Sequence, residues 1–328
     1  MQENILEVQN LCMSFFTSHG ELPAVNHVSF TVEKGKTLGI VGESGCGKSM
    51  TSLCVMGLFP QPPGKIVGGK ILFQGRDLTA LPPKELHKIR GKGIAMIFQE
   101  PMTSLNPVLT IGDQIMETLL LHEKITKKEA KQRAMEMINL VGIPMPEKIF
   151  ASCPHQLSGG MRQRAMIAMA LSCKPDLLIC DEPTTALDVT VQSQILSLIN
   201  RLKNKLGTSV MLITHDMGVI NEMADTVIVM YAGQIVEKAE TAELFAHPTH
   251  PYTVGLIRAI PRLDSEVEAL YVIPGSVPML YELPKGCLFA PRCPYATEKC
   301  RRERPEISEF SPAHDVRCFR YQPDWEGD

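Results

Sequence analysis

The sequence predicts an α/β fold: a mainly parallel sheet with helices on both faces, interrupted by a helical insert and followed by a small cysteine-rich module. Three observations predict it. Short apolar runs alternate with segments whose apolar residues recur every three or four positions, the pattern of strands joined by crossover helices. One run leads straight into a G-x-x-x-x-G-K-S loop, Gly42-Glu43-Ser44-Gly45-Cys46-Gly47-Lys48-Ser49. Four of the ten cysteines fall in the last 42 residues, where periodicity fades.

The elements follow in order. Residues 6–11, 24–32 and 37–41 read as strands, and residues 50–58 are apolar enough to start a helix. Residues 68–76 look like a further hairpin arm, with glycine as turn punctuation. Residues 93–99 form an apolar strand ending in Gln99. From 110 to 141 the pattern turns helical, most clearly over 127–141. Another helix is expected over 161–172, a short buried strand over 175–181, an amphipathic helix over 191–206 and a strand over 209–214. The insert between Gln99 and Met161 breaks the alternation, so a helical lobe is expected at about 100–165. After about residue 245 proline and charged residues become frequent. His247-Pro248-Thr249-His250-Pro251-Tyr252 reads as a linker or docking segment. The main domain is therefore expected over 1–255 and a small second module over 256–328. At that size a core is thin, and a metal staple suits it.

Composition narrows the function. The 328 residues are enough for one large or two modest domains. Hydrophobic content of 44% and charged content of 21% are ordinary for a soluble globular protein. A net charge of −3 gives no basic field to hold a phosphate backbone, so no nucleic-acid partner is expected. The start, Met1-Gln2-Glu3-Asn4-Ile5, is polar and carries no signal-peptide pattern. No run of eighteen apolar residues occurs, so the chain is expected to reach a membrane only through a partner. With no export signal, Cys12, Cys46, Cys54, Cys153, Cys173 and Cys180 read as reduced thiols.

The glycine-rich loop carries the first chemistry. Its glycines let backbone N–H groups point inward, and with the positive end of the following helix they cradle phosphate oxygens. Lys48 can reach the β- and γ-phosphates, and the Ser49 hydroxyl can take a place on Mg²⁺. Gly42, Ser44, Gly45, Cys46, Gly47, Lys48, Ser49 and Met50 are thus the candidate nucleotide-contacting residues. Cys46 reads as a small residue in the loop, with a redox-sensitive site as the alternative. A second constellation is Leu177-Leu178-Ile179-Cys180-Asp181-Glu182, apolar residues and then two acids. A strand buried between helices delivers both carboxylates to its C-terminal edge. Asp181 is suited to hold Mg²⁺ and Glu182 to polarise an attacking water.

Five further features complete a recognisable set. Leu157-Ser158-Gly159-Gly160-Met161 opens a helix and resembles the LSGGQ signature of ATP-binding cassette (ABC) ATPases. Gln99 resembles their Q-loop, Ala186-Leu187-Asp188 their D-loop, and His215 their switch histidine. Phe15 resembles the aromatic that stacks on adenine. The order and spacing fit over residues 5–240. The resemblance implies a P-loop, RecA-like sheet core with an antiparallel β part and a helical subdomain. It also implies that Ser158, Gly159 and Gly160 serve the γ-phosphate of a nucleotide held by a second ATPase domain. Asp188, at the D-loop position, joins them as a nucleotide-site candidate. Gln99 is implied as a Mg²⁺ ligand beside Ser49 and Asp181. Met161 stands where many members have Gln, and its side chain donates no hydrogen bond. With Glu182 and His215 both present, ATP hydrolysis is expected.

Residues 95–107, Pro154-His155-Gln156-Leu157 and 247–252 resemble the ATPase subunits of dipeptide and oligopeptide importers. That resemblance implies two membrane-spanning permeases, a second, paralogous ATPase subunit and an extracytoplasmic peptide-binding protein. It places the chain peripherally on the cytoplasmic face of the inner membrane, with a nickel or metal-chelate importer as the alternative. Met102 and Leu105 would give apolar contacts to a permease helix. The last cysteines run Cys287-x₅-Cys293-x₆-Cys300-x₁₇-Cys318. Four thiolates so close suit a soft tetrahedral metal or an iron–sulfur cluster. They lack the short C-x₂₋₄-C knuckles common in structural zinc sites. The Pro291-Arg292-Cys293-Pro294-Tyr295 resemblance implies a [4Fe–4S] cluster. Zn²⁺, free thiols and disulfides remain alternatives. Arg292, Arg301, Arg302 and Arg317 neighbour these cysteines in sequence and would offset the negative charge of such a cluster.

Overall fold

A computed structural model describes residues 3–18, 20–100, 104–185, 187–260, 271–323 and 325. They form two compact units. One is built mainly from Ala80–Leu212 with Val32–Lys36, and the other from Leu6–Thr31, Thr37–Thr79 and the chain from Ile213 onward.

In the first unit the strands Ile94–Ile97 and Leu177–Asp181 pair in parallel, Ile94 opposite Leu177 and Ile97 opposite Cys180. Every residue of both is buried, as a near-continuous apolar strand requires. The helical stretch expected from 110 to 141 is two helices, Ile111–His122 and Lys127–Leu140. The break follows from Thr126 and Glu129, which close a capping box and start the second helix afresh. That helix buries Ala130, Ala134, Met137 and Ile138, one stripe at helical spacing. Pro146–Phe150 and Gly159–Leu171 follow, and these helices belong to the same unit as the parallel strands. Val189–Leu206 buries Ile195, Leu196, Leu198, Ile199 and Leu202 and stops at Gly207, φ 71°.

The second unit has two sheets. An antiparallel one runs in the order Gly20–Glu33, Asn4–Thr17, Gly64–Phe73, Arg76–Asp77. In the other, Ser308–Ser311, His314–Val316, Gln234–Glu240, Thr226–Tyr231 and Thr37–Val41 lie side by side. Only the last pair is parallel, Leu38 opposite Thr226 and Val41 opposite Val229. The core beneath it joins Val227, Val229, Tyr231 and Leu244 to Tyr252, Leu288 and Phe289. The rings of Tyr231, Tyr252 and Phe289 meet at 4.8–5.4 Å, two of the three pairs steeply tilted toward edge contact.

The segment His247–Tyr252 is no linker. Thr249, His250 and Tyr252 are buried, and Pro251 opens the helix Pro251–Arg258. The cause is one fully buried carboxylate. Glu237 accepts from the Thr249 N–H at 2.7 Å, the Thr249 hydroxyl at 2.6 Å and the His250 N–H at 2.8 Å. It also meets His314 Nε2 at 2.8 Å, which ties the C-terminal hairpin to the strand Gln234–Glu240. A histidine and proline-rich segment looks polar in sequence, but a buried acceptor gives its donors a partner.

Burial pushes the pKa of Glu237 up, and hydrogen bonds from His314 and Thr249 outweigh it, leaving the carboxyl below its ordinary 4.5. The hydrogen bond to Glu237 holds His314 above its ordinary 6.5, against burial. The histidine's contribution is whole below 6.5 and lost as pH rises through its raised value; the carboxylate's is whole above 4.5 and lost on acidification. His250 contributes in the opposite sense to His314, because burial lowers it to about 4 and keeps it neutral. We therefore expect His314→Gln to destabilise the protein by about 1.5–3 kcal/mol where both partners are charged. The gap in melting temperature between parent and variant should be widest between 4.5 and 6.5 and shrink at alkaline pH. Thermal melts across pH check this; a gap that widens with alkalinity contradicts it.

Candidate functional site

In the second unit the loop leaves the strand Thr37–Val41 at Gly42. A Cβ there would collide with the Met230 carbonyl oxygen, so glycine alone fits. Gly47, φ 98°, precedes the helix Lys48–Met56, and a Cβ on it would lie 2.7 Å from the Ala24 carbonyl oxygen. Ser44 and Gly45 are exposed at the loop's tip, while Ser49 and Met50 are half-buried. Lys48 is folded back over the loop and only 4% exposed. Its Nζ donates to the Gly42 carbonyl at 2.7 Å and to the Glu43 carbonyl at 2.9 Å. Cys46 is buried, with Sγ 3.8 Å from that ammonium. Burial raises the thiol's pKa although Lys48 pulls it down, so Cys46 packs the loop as a thiol rather than a reactive thiolate.

Gly42, Glu43, Ser44 and Gly45 line a cavity of about 920 Å³ together with His215, which is exposed just past the strand Ser209–Thr214. The other wall is Leu256 and residues 275–280. That wall has no periodicity or motif, and nothing in the sequence marks it. Phe15 is half-buried on the strand Asn4–Thr17, opposite Gly64. Its neighbour Phe16 is 48% exposed and, one residue on, points to the other face. The paired aromatics are visible in sequence; which one stays open depends on register.

Two more residues hold the loop, and neither was anticipated in this role. The Glu43 N–H donates to the Tyr252 hydroxyl at 2.8 Å. The Glu43 carboxylate accepts a fork from Arg292, at 2.6 and 3.0 Å.

The first unit carries the acidic and signature residues. Asp181 ends its strand and is 6% exposed. Glu182 follows at φ 45°, and its Oε2 accepts from Gln99 Nε2 at 3.1 Å and from the Thr185 hydroxyl at 3.0 Å. Gln99 and Glu182, 83 residues apart, are thus brought together. Ser158 caps the helix Gly159–Leu171, its Oγ accepting from the Met161 N–H at 3.4 Å. Gly159 and Gly160 are therefore the first helical positions, where N–H groups lack intrahelical partners and face anions well. Met161 gives its N–H to the Ser158 cap, a backbone role that any side chain leaves in place. Asp188 caps Val189–Leu206, accepting from the Val191 N–H at 2.9 Å. Ala186 and Met102 lie outside the described residues. Leu105 is 3% exposed, so it belongs to this chain's core and offers no open apolar contact; Val108, nearby, is 79% exposed.

The four late cysteines line one enclosed cavity with His250, Phe289, Phe319, Arg320 and Trp325. None of the ten cysteines is in a disulfide. Burial pushes Cys287 up to about 11 and Cys318 up to about 12, and it raises Cys293 against the pull of Arg320. Among the described residues no three His, Cys, Asp or Glu side chains converge to hold one metal ion. Three of the four arginines beside the cysteines in sequence make other hydrogen bonds: Arg292 with Glu43, Arg302 with Glu298 at 2.8 Å, and Arg317 with the Ile235 and Pro305 carbonyls.

Among the described residues no helix is long and apolar enough to cross a membrane. The profile of the ABC transporter family matches residues 25–185, and that described as oligopeptide/dipeptide transporter, C-terminal region, matches residues 236–300. The chain is 54% identical to the oligopeptide transport ATP-binding protein AppD of Bacillus subtilis (strain 168), over 97% of each. It is 50% identical to the oligopeptide transport ATP-binding protein OppD of Salmonella typhimurium (strain LT2), over 96% of this chain and 93% of that one. Among solved structures, the dimeric structure of MJ0796, a bacterial ABC transporter cassette, superposes with a TM-score of 0.64 at 26% identity. It covers 72% of this chain and 98% of that one. With the glycine-rich loop, the paired Gln99 and Glu182 and the capped signature helix all in place, the chain belongs to the ABC transporter ATP-binding protein family, in the group that carries the oligopeptide/dipeptide transporter C-terminal region.

Proposed function

We propose that this chain is the ATP-hydrolysing, energy-coupling subunit of a peptide importer. Its partners are a second ATPase subunit, two permeases on whose cytoplasmic side it sits, and an extracytoplasmic peptide-binding protein. The observation that carries the enzymatic part is Glu182, held by Gln99 and Thr185 directly after the buried Asp181. A carboxylate so oriented suits a general base for water.

The roles follow residue by residue. Lys48 already sits on two carbonyls, so phosphate oxygens need only exchange places with them. Gly42, Ser44, Gly45, Cys46, Gly47, Ser49 and Met50 offer the cradle and Phe15 a stacking face for adenine. Ser49, Asp181 and Gln99 are the oxygen ligands offered to Mg²⁺, which when bound draws charge from the phosphates. Asp181 fits that part because a buried carboxylate favours a cation beside it. His215 is the candidate for sensing the γ-phosphate. Ser158, Gly159, Gly160 and Asp188 act across the subunit interface on the partner's nucleotide. ATP then closes the pair and moves the permeases, and hydrolysis reopens it. Replacing Glu182 with Gln should cut phosphate release by about 10²–10⁴-fold while ATP still binds and the subunit pair stays closed. Phosphate-release kinetics with size-exclusion light scattering check it, and undiminished turnover contradicts the assigned base.

We further infer that Cys287, Cys293, Cys300 and Cys318 hold a [4Fe–4S] cluster rather than Zn²⁺. One feature supports this: all four cysteines line one cavity, the four-thiolate set that such a cluster takes. The cluster would staple together the loop, turn and short helix that carry these cysteines in the C-terminal region. Anaerobically purified protein should be brown, with iron and acid-labile sulfide near four per chain. Colourless protein carrying one equivalent of zinc contradicts the reading.

A further inference from the structure

The Arg292–Glu43 fork is more than a surface ion pair. The Arg292 side chain is 4% exposed, and its Nη1 and Nη2 meet both oxygens of Glu43. The same guanidinium donates from Nε to the Pro274 carbonyl at 2.8 Å and from Nη2 to the Ile273 carbonyl at 3.3 Å. Tyr231 and Phe289 flank it, with ring centroids 5.8 and 5.9 Å away. Such a group is fixed by its donors and packing before it meets any partner. Glu43 is gripped at three points: its carboxylate by Arg292, its N–H by the Tyr252 hydroxyl, and its carbonyl by the Lys48 ammonium. The first two grips come from the C-terminal region, 249 and 209 residues away. The third is the cation expected to meet triphosphate.

We propose that Arg292 is a positioning residue of the phosphate loop, so that the cysteine-bearing C-terminal region sets the affinity of the loop for nucleoside triphosphate. The inference rests on the nucleotide-site reading above. Arg292 ends the short turn Ala290–Arg292 and is followed directly by Cys293, so the four-cysteine cavity and the loop share one short stretch of chain. An ordinary structural ion pair would change melting alone. A positioning pair changes nucleotide affinity as well, in a fold that still melts cooperatively.

The test is a double-mutant cycle on the full-length chain, reading binding of a fluorescent ATP analogue with Mg²⁺ and thermal melting. Glu43→Gln keeps the shape but not the charge; Arg292→Lys keeps the charge but not the fork. Each should weaken binding by about 5- to 20-fold, and the double variant should bind no worse than the weaker single. Lys48→Ala tests the underlying reading and should lose binding. If Lys48→Ala binds like the parent, the nucleotide site is misplaced. If it loses binding while Glu43→Gln and Arg292→Lys bind within about twofold of the parent, Arg292 does not position the loop. Additive losses overturn the proposal too. Should Arg292→Lys fail to fold, Glu43→Gln decides, because its carboxylate sits at the margin of solvent, 33% exposed.

Discussion

Much of the molecule is arranged around a cation kept out of water. The Lys48 ammonium is buried and would be costly there without acceptors. The carbonyls of Gly42 and Glu43 supply them, and in turning inward they give the loop its curl before any phosphate arrives. The turn at Gly42 requires glycine because the Met230 carbonyl leaves no room for a Cβ, and the strand that carries Met230 is placed by its parallel register with Thr37–Val41. A loop shaped in advance loses less freedom on binding, which is how a short stretch of backbone holds a highly charged ligand.

The parts legible in sequence are those in which local chemistry and position coincide. The glycine-rich loop, the buried strand before Asp181 and the helix opened by Ser158 each declare themselves within a dozen residues. The break between the helices at Thr126 was also written in a capping box, though a continuous helical period masked it. What stayed hidden depends on distant contacts. Tyr252 and Arg292 reach Glu43 from more than two hundred residues away, and no spacing rule ties them to it. The segment His247–Tyr252 looked like a polar connector because the buried acceptor that uses its donors, Glu237, belongs to another strand. Leu105 failed as a surface contact for a related reason: hydrophobicity is legible, but which face it takes is not.

Caps recur as a device. Ser158 and Asp188 both begin helices and both stand at positions tied to the family's nucleotide chemistry. A side chain that satisfies a helix start is held in one rotamer, so nearby N–H groups are presented in fixed directions. On the role proposed for them, stiffness at these two helix starts matters as much as the identity of the atoms.

Trp325 is the chain's single tryptophan, and it packs against the wall that carries the late cysteines. Indole emission responds to heavy or redox-active neighbours. The protein therefore has a built-in optical reporter at that wall, whose brightness would change if a metal or cluster were bound there, without any label being attached.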